Sequence, residues 1–198
     1  MVLWEQVAYL AREEKRLNAF EALRSRIGTS PVCVAGAKRA ALQEIAALGG
    51  IFAELRAERM QESAATVLRD FGGNLDSVLD LPTAKAKKAL QHLPMIGEPG
   101  AEKILLFCGK LDVLALESNG LRVLTRLGFA PEQKSYAATY RAARQATLEL
   151  LPVSTIHLQQ AHLLLRRHGT DLCFRSGPAC NSCPLNGSCP SAAHFRSQ

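Results

Sequence analysis

The chain predicts an all-α fold, and three observations carry that prediction. Apolar residues recur at three- and four-residue spacings, as a buried helix face requires; Leu17, Phe20, Leu23 and Ile27 are one such set. Glycine and proline fall between these segments, where helices stop and start. No convincing strand pattern, low-complexity tract or internal repeat interrupts them. With 198 residues the chain is long enough for one large domain or two small ones.

Hydrophobic content of 47% with 21% charged residues is that of a soluble globular protein. The formal charge of +6 suits a nucleic-acid partner without demanding one. No apolar run approaches a membrane span, and Met1–Glu5 lacks an export-signal layout. The expectation is a cytoplasmic protein, in which six cysteines are not structural disulfides.

The elements follow in order. Leu3, Val7 and Leu10 open a helical pattern, and Asn18 is placed to cap a second helix over 19–26. Gly28-Thr29-Ser30-Pro31 breaks it. A helix over 32–48 ends at Gly49-Gly50, and another over 51–71 ends at Gly72-Gly73. A short helix over 75–80 precedes one over 84–92. Beyond Ala101 a helix runs to Cys108 and stops at Gly109. Helices over 121–127, 132–151 and 156–167 follow, the last two stopped by Pro152 and by His168-Gly169.

Between His92 and Ala101 lie two prolines and two glycines within the nine residues Leu93–Ala101. Glycine allows positive φ and proline presets the φ of a first helical turn, so the stretch predicts a tight helix–hairpin–helix. The second helix would offer unpaired N–H groups and a positive dipole end to a phosphate. An ordinary helix–helix connection has the same composition.

From Cys173 the texture changes. Cys173, Cys180, Cys183 and Cys189 are spaced C-x6-C-x2-C-x5-C, with Pro, Gly, Asn and Ser between them. Such a loop cannot pack a core of its own. Four thiolates closing on one centre would replace it, and a 4Fe–4S cluster and a four-cysteine zinc site are the two candidates. Zinc ribbons usually show two C-x2-C pairs, and this loop has one. Cys33 and Cys108 lie in apolar helical contexts and read as buried thiols.

The cysteine spacing, the preceding His168-Gly169 and a hairpin of form L-P-x-I-G-x-x-x-A together resemble the endonuclease III branch of the helix–hairpin–helix (HhH-GPD) DNA glycosylases. The resemblance runs from about Asn18 to Cys189. It implies a two-domain all-α fold: a helical barrel over 21–111 containing the hairpin, and a second domain of 1–20 and 112–198 closed by the cysteine loop at 173–189. It implies a 4Fe–4S cluster on Cys173, Cys180, Cys183 and Cys189. It also implies double-stranded DNA as partner, bound between the domains, and excision of a flipped base by cutting its N-glycosidic bond.

The chain departs from that pattern at telling positions. Met95 stands where the family has the first hairpin glycine, while Gly97 survives. Bifunctional members carry a lysine that attacks the sugar C1′; its position here is Pro99, which has no nucleophile. Lys103, one turn on, is a phosphate contact or a solvated lysine before it is a displaced nucleophile. Glu117 takes the place of the family's catalytic aspartate. It keeps the charge that stabilises an oxocarbenium-like sugar and activates water, with one extra methylene of reach. A carboxylate that merely complements the helix dipole explains Glu117 equally. The family's gap-filling glutamine has no counterpart in Arg26–Pro31, so no base preference carries over.

Other residues weigh less. Lys85, Lys87, Lys88, Lys103 and Lys110 give the barrel a basic bias that phosphates or solvent explain. Arg175 is the better DNA candidate beside the cysteine loop. Arg122 and Arg126 suit ion pairs with Glu117 or Glu132 as well as DNA. His157, His162 and His168, like Tyr136 and Tyr140, read as packing or capping residues.

The sequence therefore predicts a monomeric, cytoplasmic, nucleoid-associated DNA-repair hydrolase. It would be a monofunctional glycosylase without lyase activity, with Glu117 catalytic and Ile96, Gly97, Gly100, Lys103 and Arg175 on DNA. The alternative is a non-catalytic protein of the same fold that recognises damaged, bent or branched DNA. A redox-sensing regulator that tunes DNA affinity through the cluster is a third reading.

Overall fold

The computed structural model describes residues 1–9, 11–148, 150 and 154–196, the side chain of Arg196 aside. These residues form α-helices, one short 3-10 turn and no β-strand; an isolated bridge joins Tyr9 and Gly50. The all-α prediction holds. The chain divides into two compact units, Met1–Ile104 and Leu105–Gln198.

The first unit contains α1 (Val2–Gln6), α2 (Glu13–Arg26), α3 (Pro31–Gly36), α4 (Arg39–Leu48), α5 (Ala53–Asp70), α6 (Asp76–Leu79), α7 (Thr83–Gln91) and most of α8 (Glu98–Phe107). Helix α5 is its axis and packs against α1, α3 and α4. Leu23, Val34, Leu42, Ile45 and Met60 are fully buried in one core cluster. Val7, Ala8 and Ala19, from the segment that the resemblance assigned to the second domain, belong to that same cluster.

Arg56 sits in this unit with no exposed surface. It faces main-chain carbonyls. Its Nε donates to Ile51 O at 2.8 Å, its Nη2 to Ala46 O at 2.6 Å and Gly50 O at 2.7 Å, and its Nη1 to Val7 O. One side chain thus ties the end of α4, the approach to α5 and the C-terminal cap of α1. Gly49 and Gly50 make room for that approach: a Cβ on either would lie 2.2 Å from Val7 O or 2.4 Å from Tyr9 O. Burial, and then the charge of Arg16, pull the Arg56 pKa down.

Several boundaries differ from the periodicity reading. Asn18 does not cap a helix, because α2 begins at Glu13 and runs through it. The helix expected over 32–48 breaks at Ala37-Lys38 into α3 and α4. Helix α5 starts at Ala53, since Phe52 takes the left-handed conformation at φ 58°. Cys33 is exposed rather than buried. It lies three residues after Ser30, whose hydroxyl caps α3 by accepting from the Cys33 N–H at 3.2 Å.

The second unit holds α9 (Ser118–Arg126), α10 (Tyr136–Leu148), α11 (Thr155–Asp171) and α12 (Ala192–Arg196). Its core is built on Leu106, Leu114, Leu116, Leu121, Tyr140 and Leu158. Helix α10 starts four residues later than Glu132; the expected stop at Pro152 lies outside the described residues. His168-Gly169 does not end α11, which continues to Asp171. Gly169 instead lets α11 cross α9: a Cβ there would lie 2.7 Å from the Asn119 main-chain oxygen.

Replacing Arg56 with Met should cost about 3 kcal/mol or more, because it strands buried carbonyls that a guanidinium now satisfies. A denaturant titration checks this; an unchanged midpoint would mean that water takes over the role of the guanidinium.

Candidate functional site

The hairpin joins α7 to α8 through Leu93–Gly97. Leu93 and Ile96 are core residues, at 1% and 3% exposure, and Ile96 N–H donates to Leu93 O at 3.1 Å. The two apolar side chains nail the turn inward. Ile96, expected on DNA, therefore shapes the turn from within. Met95 takes φ 62°, the left-handed conformation that glycine would take freely, and is 47% exposed. The turn keeps its shape at the cost of strain.

Gly97 and Gly100 differ from the other turn glycines. Neither has a positive φ, and a Cβ on either would meet only ordinary contacts, Pro99 Cδ at 3.8 Å and Ile96 Cγ2 at 3.7 Å. The chain's own packing does not require glycine at these positions. They leave the backbone bare at the start of α8, where N–H groups have no partner within the helix. Pro99 occupies the first turn of α8, where its missing N–H costs nothing.

Two unforeseen contacts brace the hairpin. The buried Gln6 donates through Nε2 to Pro94 O at 2.7 Å and to Ser63 Oγ at 2.6 Å, pinning the turn to α1 and α5. Lys87 Nζ lies 3.1 Å from both Glu98 Oε1 and Glu102 Oε1, clamping α7 to α8. Burial works against the Lys87 charge, but hydrogen bonds to Glu102 and Glu98 outweigh it and raise its pKa. The Lys87 side of the clamp is therefore charged at neutral pH and is lost as pH rises through that raised pKa. Lys103 Nζ lies 2.5 Å from Glu5 Oε2, with 18% and 15% side-chain exposure, so it is engaged within the chain. No motif announces these pairings, since each joins residues distant in sequence or on facing helices.

In the second unit Glu117 is the N-cap of α9. Its Oε1 accepts from Gly120 N–H at 2.7 Å and its Oε2 from Asn119 Nδ2 at 2.9 Å. The carboxylate is held in place, with each oxygen retaining one lone-pair direction. Asn119 Oδ1 in turn accepts from Arg122 Nη2 at 2.8 Å. Arg122 also donates to Gly169 O at 2.8 Å and to Cys173 O at 2.9 Å. A continuous hydrogen-bonded path thus leads from Glu117 to the first cysteine of the loop. Burial, then the neighbouring Arg126, lower the Arg122 pKa, opposed by Cys173 and Glu117.

Arg126, one turn further on, grips the same loop. It donates to Cys173 Sγ at 3.2 Å, Phe174 O at 2.6 Å and Arg175 O at 3.0 Å, and its guanidinium lies 4.5 Å from the Phe195 ring centre. The two arginines thus hold the cysteine loop, not Glu132 or a carboxylate of their own helix. Arg175 presents an exposed side chain.

Cys173, Cys180, Cys183 and Cys189 line one pocket of about 410 Å³, part of it open to solvent. Val123, Leu127, Leu172, Leu185 and Phe195 supply apolar walls. None of the four is in a disulfide. His168 Nε2 stands 3.6 Å from Cys183 Sγ. Asn186, also at the pocket, has its Oδ1 buried without a partner. Among the described residues no three His, Cys, Asp or Glu groups stand close enough to hold a metal ion. No helix among the described residues is long and apolar enough to cross a membrane.

No protein-family model matches the chain. Endonuclease III of Sulfolobus acidocaldarius is 26% identical over 133 residues, covering 66% of this chain and 54% of that protein. The DNA glycosylase/AP lyase ROS1 of Arabidopsis thaliana is 26% identical over 153 residues, covering 71% of this chain and 11% of that one. The chain thus spans about half of the first relative and a small part of the second. Among solved structures, a trapped endonuclease III–DNA covalent intermediate superposes with a TM-score of 0.78 at 17% identity, covering 100% of this chain and 84% of that one. A thermostable thymine-DNA glycosylase gives 0.73 at 16% identity, over 98% and 83%. The fold is that of the helix–hairpin–helix glycosylases. The chain is similar in sequence to endonuclease III and in fold to endonuclease III and a thymine-DNA glycosylase.

Two variants test this geometry. Met95→Gly should relieve the left-handed strain and raise stability by up to about 1 kcal/mol, read from the urea midpoint. Arg122→Leu should cost roughly 2 kcal/mol and speed proteolysis within 173–189, because three oxygens lose their donor. A loop as resistant as in the parent would mean that Arg126 alone suffices.

Proposed function

We propose that the protein is a monofunctional DNA glycosylase of base-excision repair. It binds double-stranded DNA, accepts a flipped damaged or mismatched base and hydrolyses its N-glycosidic bond. The observation that carries this reading is the pairing of Pro99 at the lyase-lysine position with a carboxylate, Glu117, fixed at the start of α9. Lys103 is tied to Glu5 and offers no replacement amine. The open backbone at Gly97 and Gly100 serves as the phosphate anchor, and the exposed Arg175 adds a contact beside the cysteine loop.

In the reaction water adds its oxygen to C1′ as the C1′–N bond breaks. The bonding pair leaves with the base, which takes up a proton. The proton lost by the water passes to Glu117 and on to solvent, and the carboxylate stabilises the positive charge that develops on the sugar. No Schiff base forms, and an abasic site remains. The protein works as a monomer, in the cytoplasm at the nucleoid.

Cys173, Cys180, Cys183 and Cys189 would hold a 4Fe–4S cluster, with zinc as the alternative. The donor set supports the cluster: four free thiols share one apolar-walled pocket, with Arg126 donating to Cys173 Sγ. Bound there, the cluster supplies the cross-link that the loop lacks as a core.

One observation favours a second reading. Both Glu117 oxygens are engaged by the cap, as in a purely structural carboxylate. A binding protein for damaged or branched DNA would need no more.

The test is base release from a panel of damaged and mismatched duplexes, with and without alkali. Strand breaks that require alkali are expected, with no adduct trapped by borohydride. Glu117→Gln should lower release by about a hundredfold or more while DNA affinity holds. Release from no duplex, with affinity intact, establishes the binding protein instead. Iron and sulfide content with broad visible absorbance identifies the cluster; stoichiometric zinc in a colourless protein identifies the alternative.

A further inference from the structure

Leu93–Ile96 form a β-turn, closed by Ile96 N–H donating to Leu93 O at 3.1 Å. Pro94 fills its second position, where the ring holds φ at about −65°. Met95 fills its third, at φ 62°. Among the standard turns only type II joins a negative φ at the second position to a positive one at the third. Type I places the outer residues alike and differs by a flip of the central peptide, here Pro94–Met95. It would give Met95 the negative φ that a residue with a side chain prefers. The chain instead holds the form that suits glycine.

The apolar anchors do not select that form. Leu93 and Ile96 sit at the outer positions of the turn, which the flip leaves in place. Gln6 acts on the central peptide itself. Its Nε2 donates to Pro94 O at 2.7 Å and to Ser63 Oγ at 2.6 Å, and the residue has no exposed surface. A carbonyl only accepts, so the nitrogen of the Gln6 amide must face it. The Pro94–Met95 peptide is trans, so its N–H points opposite to its C=O. With Pro94 O turned inward to Gln6, Met95 N–H is turned outward. A flip would break the Gln6 bond and put a carbonyl oxygen where the donor had been. A donor there suits a phosphate, and a carbonyl oxygen repels one.

Resting on the reading of this hairpin as the phosphate anchor, we propose that Gln6 is a positioning residue for it. Gln6 latches the central peptide in the type II form, and Met95 is the residue that makes a latch necessary. A left-handed methionine is disfavoured against glycine by roughly tenfold, and one buried hydrogen bond offsets about that much. The latch comes from α1, nearly ninety residues away in the chain, and touches no DNA itself.

The experiment pairs a structural reading with a binding one, both on the full chain. In type II the ψ of Pro94 is about +120°, which brings its Hα close to Met95 N–H; at the type I value of about −30° the two lie apart. The parent should give a strong NOE between Pro94 Hα and Met95 N–H, and Gln6→Met a weak one. Affinity is read by anisotropy on a labelled duplex carrying an abasic-site analogue. Gln6→Met should weaken binding about tenfold, because the turn then spends most of its time in type I. Adding Met95→Gly should return both the NOE and the affinity to near the parent's, since glycine needs no latch. Met95→Gly alone should change neither. Gln6→Asn, one methylene too short to reach Pro94 O, should behave as Gln6→Met and replaces it should that variant not fold. An NOE that stays strong without Gln6, or a loss of affinity that Met95→Gly does not rescue, would overturn the proposal. If the parent binds no duplex, the anchor reading fails and the NOE alone judges the latch.

Discussion

The Arg56 guanidinium is the constraint on which the first unit depends. Where α4 ends and α5 begins, main-chain carbonyls converge on one point, and that of Ala46 accepts the Gly49 N–H as well. Arg56 answers these and Val7 O besides, from a fully buried position. Fixing Val7 fixes the end of α1, and from α1 Gln6 reaches Pro94 in the hairpin. The hairpin turn is thus set by a residue that no hairpin motif contains. A buried charge is costly, but neutral carbonyl dipoles arranged around it recover much of that cost, and five fixed N–H donors suit the task better than an ammonium would.

The same device recurs in the second unit. The cysteine loop is turned by short-range main-chain bonds of its own, and Arg122 and Arg126 tie it to one face of α9. That helix is capped by Glu117. One short helix therefore carries the candidate carboxylate at its start and the clasp on the loop along its length. A hydrogen-bonded path joins the loop to the carboxylate through Cys173, Arg122 and Asn119. The Gly169 crossing makes this possible by letting α11 lie against Asn119.

The sequence announced those features that depend on local chemistry. The helix stop at Gly109 was legible because that position takes a positive φ that only glycine adopts freely. The hairpin was legible from its prolines and glycines, and the cysteine loop from its spacing. Features that depend on distant partners were not. Lys87 and Lys103 read as basic residues for phosphate, yet carboxylates on neighbouring helices hold both. Ile96 read as a contact and is buried, since the turn needs an inward anchor. His168-Gly169 read as a helix stop because a glycine near a helix end usually is one; here it marks a close helix crossing.

The departures from the family pattern form a consistent set. Pro99 offers no nucleophile and suits the first turn of α8. Replacing glycine with Met95 adds strain without opening the turn, because Leu93 and Ile96 pin it from both sides. Lengthening aspartate to Glu117 keeps the cap intact, because the longer side chain still reaches Gly120 N–H and the Asn119 amide. Each change alters chemistry while preserving the scaffold that positions it. A carboxylate held by two donors needs little reorganisation when charge develops nearby, and such preorganisation is what electrostatic catalysis requires. The bonds that make Glu117 a good cap thus also make it a fixed charge.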